Sequence, residues 1–222
     1  MSTFVLIPGA GGAAWYRHRV ISLLQDAGHE AIAVDLPGND EVAGLPEYTR
    51  EVVNAIGDRV DVVIVAQSLG GFIAPLVSAN VPVRALVLVN AMIPSPGETP
   101  GAWWGNTGSL QASAVAAEQG GYGTEFDPAV YFLHDVPPGV AATGEPHQRP
   151  EAEVVFGSVC DFDAWPSVPI RVVVGADDRF FPVEFQRRLA RDRLGVEADV
   201  LPGGHLIALA RPLGLAEYLL NV

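Results

Sequence analysis

Short, nearly continuous apolar segments recur along the chain. Six of them are rich in β-branched residues and end in turn-forming residues: TFVLIPG, EAIAVDLPG, VDVVIVAQS, VRALVLVNAM, IRVVVGADD and EADVLPGG. Uninterrupted apolar runs of this length are typical of strands that are buried on both faces of a sheet. The pattern therefore predicts six strands, most of them parallel to one another.

Segments with helical periodicity lie between most of these strands. Apolar residues recur at helical spacing over five segments, 15–27, 46–56, 69–80, 182–194 and 206–220. The alternation of strand and helix indicates right-handed βαβ units, which place helices on both faces of a parallel sheet. We therefore predict an α/β fold with a six-stranded, mostly parallel sheet between two layers of helices.

The alternation is interrupted between residues 95 and 168. This segment has no convincing strand, is rich in Gly and Pro, and shows short helical patterns only at 109–118 and 128–134. A long insertion in a compact α/β domain is usually either a lid or a disordered segment. The many aromatic residues of this insertion favour a packed lid. We therefore predict a core formed by residues 1–94 and 169–222, and an inserted helical lid at 95–168.

Composition and charge narrow the classes of function. A length of 222 residues favours one domain, and the net charge of −13 argues against nucleic acids and anionic membranes as partners. The single cysteine, Cys160, excludes an internal disulfide. No apolar run reaches the roughly 20 residues of a membrane span, and the N-terminus lacks the basic region of a signal peptide. We expect a cytoplasmic protein without metal or cofactor. The sequence does not indicate an oligomeric state.

The sequence AQSLGG follows the third predicted strand and opens a helix. It fits the nucleophile elbow G-x-S-x-G, except that Ala66 stands where the first Gly is usual. Strand and helix crowd together at such a turn, so the residues two before and two after the serine must be small, as Ala66 and Gly70 are. The N-terminus of the helix and the Leu69 N–H would favour negative charge beside the Ser68 hydroxyl. The structural alternative is that Ser68 only caps the helix.

Candidate partners for this serine follow two later strands. Asp177 and Asp178 come directly after IRVVVGA, and His205 follows EADVLPGG. Because the carboxyl ends of parallel strands meet at one edge of a sheet, we expect these side chains to lie near Ser68. Each residue alone could be a turn or capping residue, but the three together, in the order Ser, Asp, His, favour a catalytic triad. Position alone does not choose between Asp177 and Asp178.

These motifs resemble the α/β-hydrolase superfamily over the whole chain outside the lid. FVLIPGAGGAAW is similar to the strand and H-G-x oxyanion loop, GADDRFFP to the acid loop G-x-x-D-x-x-x-P, and PGGHLIALARP to the histidine loop. Within the superfamily, the chain is most similar to small plant-type methyl esterases and hydroxynitrile lyases and their bacterial relatives. The resemblance implies a triad of Ser68, Asp178 and His205, and an oxyanion hole formed by the N–H groups of Ala10 and Leu69.

The chain departs from the family pattern at several positions. Pro8 stands where the family's oxyanion loop has its His, and it removes both a backbone donor and a polar side chain. Hydroxynitrile lyases of this group use a Lys directly after the catalytic His and a Thr in the oxyanion loop. The matching residues here are Leu206 and Gly9, so the cleavage of cyanohydrins is disfavoured.

The sequence therefore predicts a serine hydrolase that cleaves a small, mostly apolar carboxylic ester through an acyl-enzyme. Trp103, Trp104 and His134 are candidates for the wall of the substrate pocket, with the core of the lid as their alternative. Hydrolysis of a C–C bond uses the same triad and stays open. A second alternative is a non-catalytic protein of this fold that binds a small ligand.

A third alternative is an NAD(P)-binding oxidoreductase. The glycine-rich loop, residues 9–12, follows a strand and precedes a helix, and Gly9, Gly11 and Ala14 approximate the fingerprint G-x-G-x-x-G. Asp35 ends the next strand, where a ribose ligand is expected. The fingerprint is incomplete, so this interpretation ranks behind the hydrolase.

Overall fold

Six parallel strands form one sheet in the computed structural model, which describes residues 1–222. The sheet order is β2-β1-β3-β4-β5-β6. The strands are β1 (Thr3–Ile7), β2 (Glu30–Ala33), β3 (Val62–Gln67), β4 (Ala85–Val89), β5 (Ile170–Gly175) and β6 (Ala198–Leu201). Every neighbouring pair is parallel, and the predicted six-stranded α/β fold is confirmed.

The burial of each strand follows from its place in the sheet. Every residue of β1, β3 and β4 is buried, whereas the edge strands β2 and β6 are only partly buried. Central strands of a sheet covered on both faces contact no water on either side, so they require the continuous apolar runs observed in the sequence.

Ten helices surround the sheet. They are α1 (His18–Asp26), α2 (Leu45–Ile56), α3 (Ile73–Asn80), α4 (Pro100–Thr107), α5 (Ser109–Gly120), α6 (Pro128–Tyr131), α7 (Pro138–Gly144), α8 (Val183–Leu194), α9 (Ile207–Ala210) and α10 (Pro212–Leu219). Helices α2, α3 and α8 contribute to one hydrophobic layer, and α1, α9 and α10 to the other. None of the helices has the length and apolar character that a membrane crossing requires.

Two predicted helices differ from the observed ones. The segment predicted as one helix at 206–220 is divided into α9 and α10, because Pro212 has no N–H and disfavours a helical conformation at Arg211, which has φ −134° and ψ 54°. The helix predicted at 69–80 begins with a 3-10 turn, Ser68–Phe72, which precedes α3.

The segment between β4 and β5 contains helices and no strand. The two predicted short helices correspond to α5 and α6, whereas α4 and α7 were not predicted. Helix α4 begins at Pro100, and the Ala102 N–H donates to the hydroxyl of the capping residue Thr99 at 3.1 Å. A capping Thr followed by Pro is a helix-start signal, so α4 could have been predicted from this pair.

Candidate active site

Ser68 lies on the sharp turn between β3 and α3. Its φ of +52° is a left-handed conformation that non-glycine residues rarely adopt. Hydrogen bonds from the chain beyond β4 hold the turn on both sides. The Ser68 N–H donates to the carbonyl of Asn90 at 3.2 Å, and the Met92 N–H donates to the carbonyl of Ser68 at 2.9 Å. Strain at a residue held in this way is typical of functional turns.

Close backbone approaches explain the small residues around Ser68. A Cβ atom on Gly70 would lie 2.7 Å from the carbonyl oxygen of Pro8, and one on Gly71 would lie 2.0 Å from that of Met92. A Cβ atom on Gly9 would lie 2.8 Å from the Cβ of Ser68. The glycine-rich loop therefore lies directly against the serine.

The two N–H groups implied as oxyanion donors lie on either side of the contact between the glycine-rich loop and Ser68. Ala10 follows Gly9 in the glycine-rich loop and is exposed. Its N–H makes no backbone hydrogen bond. Leu69 follows Ser68 in the 3-10 turn. The arrangement leaves the Ala10 N–H available to a bound group.

His205 and Asp178 form a buried pair at the same edge of the sheet. The Nδ1 atom of His205 lies 2.9 Å from Oδ2 of Asp178, and the two side chains are 2% and 0% exposed. The other carboxylate oxygen, Oδ1, accepts hydrogen bonds from the N–H groups of Phe180 and Phe181 at 2.9 and 3.0 Å. Nδ1 is the only ring nitrogen of His205 with a hydrogen-bond partner, so Nε2 is left available.

The neighbouring Asp177 points in another direction. Its side chain accepts a hydrogen bond from the Gly203 N–H at 3.2 Å and belongs to an exposed residue. Successive side chains alternate in direction as an extended chain leaves a strand, so only one of the two can face His205. The structure brings Asp178 to the histidine, and Asp178 is the aspartate that the family resemblance implies.

Asn90 was not among the predicted site residues, and it joins the histidine loop to the end of β4. Its Nδ2 atom donates to the carbonyls of Gly204 and His205 at 3.0 and 3.1 Å, and its Oδ1 atom accepts from the Gly175 N–H at 2.7 Å. It is fully buried and has a φ of +45°. A polar residue directly after a buried strand, at the same sheet edge as Ser68, was the signal that could have identified it.

Two glutamines complete the buried polar contacts. Gln67 donates to the carbonyl of His205 at 3.2 Å and accepts from the guanidinium of Arg17 at 2.6 Å. Burial lowers the pKa of Arg17 to about 10. Gln186 donates to Oδ2 of Asp178 at 3.3 Å. These side chains hold the backbone of the histidine loop and the carboxylate in place.

Aromatic rings surround the imidazole of His205. The ring of Phe132, from the segment between β4 and β5, stacks on it with a centroid distance of 4.8 Å and an interplanar angle of 18°. Phe180 and Phe181 approach it edge-on at 5.2 and 5.3 Å. The histidine therefore lies in an apolar environment, in which its interaction with Asp178 is screened less than in water.

The two tryptophans predicted for the pocket wall occupy different environments. Trp103 is 0% exposed, and its indole N–H donates to the carbonyl of Ile93 at 3.0 Å. Trp103 therefore does not line a pocket, and it packs in the hydrophobic core that α2, α3 and α8 share instead of in a separate core of the lid. Trp104 is half-buried and lies 5.5 Å from the ring of Phe180, centroid to centroid. It remains near the aromatic surroundings of His205.

His134 lies beside the histidine loop, in a cavity that does not reach the serine. This cavity has a volume of about 1010 Å³ and is lined by His134, Asp135 and Asp178, but by neither Ser68 nor His205. Both ring nitrogens of His134 are buried without a hydrogen-bond partner. The structure therefore does not bring His134 to the candidate nucleophile.

The dinucleotide-binding alternative is not supported. The Oδ1 atom of Asp35, the proposed ribose ligand, accepts hydrogen bonds from the Ala14 N–H at 3.0 Å and from the guanidinium of Arg149 at 2.6 Å. Its carboxylate is thus used within the protein. The strand order also differs from the order 3-2-1-4-5-6 of dinucleotide-binding folds. No group of three or more His, Cys, Asp or Glu side chains is arranged to bind a metal ion.

Known proteins similar to this chain include several esterases. A rice protein named "Probable esterase PIR7A" (Oryza sativa subsp. indica) is 36% identical over 112 residues, which cover 44% of this chain and 42% of that protein. The chain thus matches less than half of the length of this relative. "Norfluorocurarine synthase 1" of Strychnos sp is 22% identical over 250 residues, covering 99% of this chain and 94% of that protein.

Solved structures share the fold over the full chain. Polyneuridine aldehyde esterase superposes with a TM-score of 0.81 at 19% identity, covering 100% of this chain and 98% of that one. An extracellular α/β-hydrolase from a Paenibacillus species superposes with a TM-score of 0.78 at 21% identity, with the same coverage of 100% and 98%. The family model described as "Alpha/beta hydrolase family" matches residues 4–218. The chain therefore belongs to the α/β-hydrolase family.

Proposed function

We propose that the protein is a serine hydrolase of carboxylic esters, with Ser68 as nucleophile, His205 as general base and Asp178 as the orienting acid. The observation that carries the proposal is the buried hydrogen bond of 2.9 Å between His205 and Asp178, at the sheet edge where Ser68 occupies its left-handed turn. The names of relatives, such as "Probable esterase PIR7A" and "Methylesterase 7" of Arabidopsis thaliana, support this reaction class.

Acylation is the first half of the proposed reaction. The hydrogen bond to Asp178 keeps the ring proton of His205 on Nδ1, so Nε2 accepts the proton of the Ser68 hydroxyl as its oxygen attacks the ester carbonyl. The N–H groups of Ala10 and Leu69 stabilise the negative charge that develops on the carbonyl oxygen. The tetrahedral intermediate then collapses, and the leaving alcohol takes the proton from His205.

Deacylation repeats the same steps with water. His205 removes a proton from a water molecule, whose oxygen attacks the acyl group on Ser68. The Ser68 oxygen then leaves, takes the proton back from His205, and the acid is released. Asp178 stabilises the imidazolium that forms in each half-reaction, and its orientation is maintained by the N–H groups of Phe180 and Phe181. The mechanism requires neither a metal ion nor a cofactor.

The substrate is proposed to be a small, mostly apolar ester. Apart from Asp178, the side chains around the imidazole of His205 are aromatic: Phe132 and Phe180 contact it, and Trp104 packs against Phe180. Apolar walls favour apolar acyl and alcohol groups. We also propose that residues 95–168 act as a lid on the core of residues 1–94 and 169–222, because Phe132 of this segment covers the histidine.

Labelling with a fluorophosphonate tests the nucleophile directly. We expect the probe to attach to Ser68, as shown by mass spectrometry of the labelled peptide, and the wild-type protein to hydrolyse short p-nitrophenyl esters. Ser68→Ala should lose both properties. A wild-type protein that is neither labelled nor active on esters would refute the proposal and favour a ligand-binding protein of this fold. Turnover of a C–C bond substrate without ester hydrolysis would move the reaction to that class.

A further inference from the structure

We infer that Glu151 is a positioning residue for the glycine-rich loop, and that it aligns the Ala10 N–H as an oxyanion donor. The inference rests on the proposed function. Glu151 belongs to the segment between β4 and β5 and lies 140 residues from Gly11, the loop residue that it contacts. The segment that we propose as a lid would thus also complete the catalytic machinery of the core.

The glycine-rich loop has little structure of its own. Gly11 and Gly12 have φ angles of +80° and +66°, and glycine has access to many other conformations at little cost. One backbone hydrogen bond, from the Gly12 N–H to the carbonyl of Gly9 at 3.1 Å, lies within the loop. Pro8, directly before it, offers neither an N–H nor a polar side chain. The loop therefore depends on contacts from other parts of the chain.

Residues 149–151 supply a large part of those contacts, beside the Leu36 N–H, which donates to the carbonyl of Gly12 at 2.9 Å. The Gly11 N–H donates to Oε2 of Glu151 at 2.5 Å, and the guanidinium of Arg149 donates to the carbonyl of Gly12 at 2.7 Å. The carbonyl oxygen of Arg149 would lie 2.7 Å from a Cβ atom on Gly11. The approach is so close that only glycine fits, and it brings Glu151 to the main chain of the loop.

Glu151 is itself attached to the core. The hydroxyl of Tyr48, a fully buried residue of α2, donates to its Oε1 atom. Burial raises the pKa of Glu151, although the hydrogen bonds from Tyr48 and Gly11 oppose this. The carboxylate thus joins a core helix to the loop, with one oxygen for each partner.

This attachment bears on the reaction through the peptide unit between Ala10 and Gly11. Fixing the Gly11 N–H fixes that peptide plane and restricts the backbone rotation of Ala10, whose own N–H is the proposed oxyanion donor. Removing an oxyanion donor lowers kcat by about 10²- to 10³-fold in a serine protease. Releasing the loop misaligns the donor without removing it, so a smaller loss is expected.

The test compares Glu151→Met, Glu151→Gln and the control Glu153→Ala. Met has similar length but accepts no strong hydrogen bond, whereas Gln can accept from Gly11 and donate to the Tyr48 oxygen. Glu153 is exposed in the same segment. We measure kcat and KM on a p-nitrophenyl ester, affinity for a trifluoromethyl ketone that forms an oxyanion adduct with Ser68, and melting curves.

Glu151→Met should lower kcat by about 10- to 100-fold and weaken ketone binding by a similar factor, since both depend on oxyanion contacts absent from the ground state. KM should change by less than about threefold, as expected when only transition-state contacts are lost. Glu151→Gln and Glu153→Ala should remain close to wild type. If Glu151→Met does not fold, Tyr48→Phe, which removes the other attachment of the carboxylate, should lower kcat in the same direction.

Several results would overturn the inference. Unchanged kcat and ketone affinity in Glu151→Met, with or without a lower melting temperature, would leave Glu151 a purely structural role. A loss in Glu151→Gln equal to that in Glu151→Met would exclude the hydrogen bond as the cause. Failure of the proposed function is distinguishable, because the wild-type protein would then neither hydrolyse the ester nor bind the ketone at Ser68.

Discussion

Replacing Asp178 by Asn separates the orienting role of this residue from its structural role. Oδ1 accepts two backbone N–H groups, those of Phe180 and Phe181, whereas Oδ2 accepts from His205. An Asn side chain has one acceptor oxygen, and the two backbone donors favour placing it at the Oδ1 position. The amide NH2 group then faces Nδ1 of His205.

The magnitude follows from the tautomer that this contact selects. Nδ1 of His205 must accept a hydrogen bond from the new amide, so the ring proton moves to Nε2, which can no longer accept the proton of Ser68. In serine proteases the corresponding substitution lowers kcat by about 10⁴-fold. In the wild type, Nε2 of Gln186 donates to Oδ2 of Asp178 at 3.3 Å. In Asp178→Asn the new NH2 group faces this donor, and loss of the hydrogen bond should lower the free energy of unfolding by about 1–3 kcal/mol.

Asp177→Asn is the matched control for Asp178→Asn. Its remaining carbonyl oxygen can still accept from the Gly203 N–H, and the residue is exposed, so the free energy of unfolding should change by less than about 0.5 kcal/mol. The assay measures kcat on one activated ester for both variants, beside their melting curves. The triad assignment is wrong if Asp178→Asn keeps a kcat near that of the wild type, or if only Asp177→Asn is inactive.

Substitutions at the nucleophile, at the two tryptophans and at a buried ion pair give three further predictions. Ser68→Ala should lower the rate of ester hydrolysis to a residual value roughly 10³-fold above that in water. Its melting temperature should stay the same, since the Cβ atom is retained, and wild-type turnover in this variant would exclude the mechanism. Trp103→Ala should lower the free energy of unfolding by about 3–5 kcal/mol, as is typical for a buried tryptophan. Trp104 is half-buried, so Trp104→Ala should act mainly on KM across a series of acyl chain lengths. Equal destabilisation of both variants in urea unfolding would contradict this difference. Burial raises the pKa of Glu98, but hydrogen bonds, chiefly from Arg193, outweigh this and lower it. The ion pair therefore stabilises the fold at neutral pH, and this stabilisation declines as the pH falls through the lowered pKa. Thermal melts of Glu98→Gln should depend less on acidic pH than those of the wild type, and identical pH profiles would contradict this.

The local pattern of the sequence was sufficient to predict the sheet and to propose a candidate triad at one of its edges. A run such as VVIVAQ in β3 can bury every side chain only between two layers of helices. Strand ends in a parallel sheet share one edge, so the order of strands and turns along the chain was enough to predict one site for Ser68, His205 and one of the two aspartates, Asp177 or Asp178. The division between α9 and α10, which the prediction of one helix at 206–220 missed, was also a local signal, because Pro212 interrupts a helix.

Contacts between distant loops required the tertiary structure. The strand pattern alone left Asp177 and Asp178 open and only the family resemblance implied Asp178, whereas the structure shows that the Asp178 side chain faces His205. The position of Asn90 after β4 indicates the same sheet edge, but its hydrogen bonds to Gly175 and to the histidine loop are seen only in the tertiary structure. Glu151 reaches the glycine-rich loop across 140 residues of chain, with no periodicity to indicate it. Hydrophobic periodicity and turn preferences act between near neighbours in the chain, whereas these hydrogen bonds exist only because folding brings separate segments together.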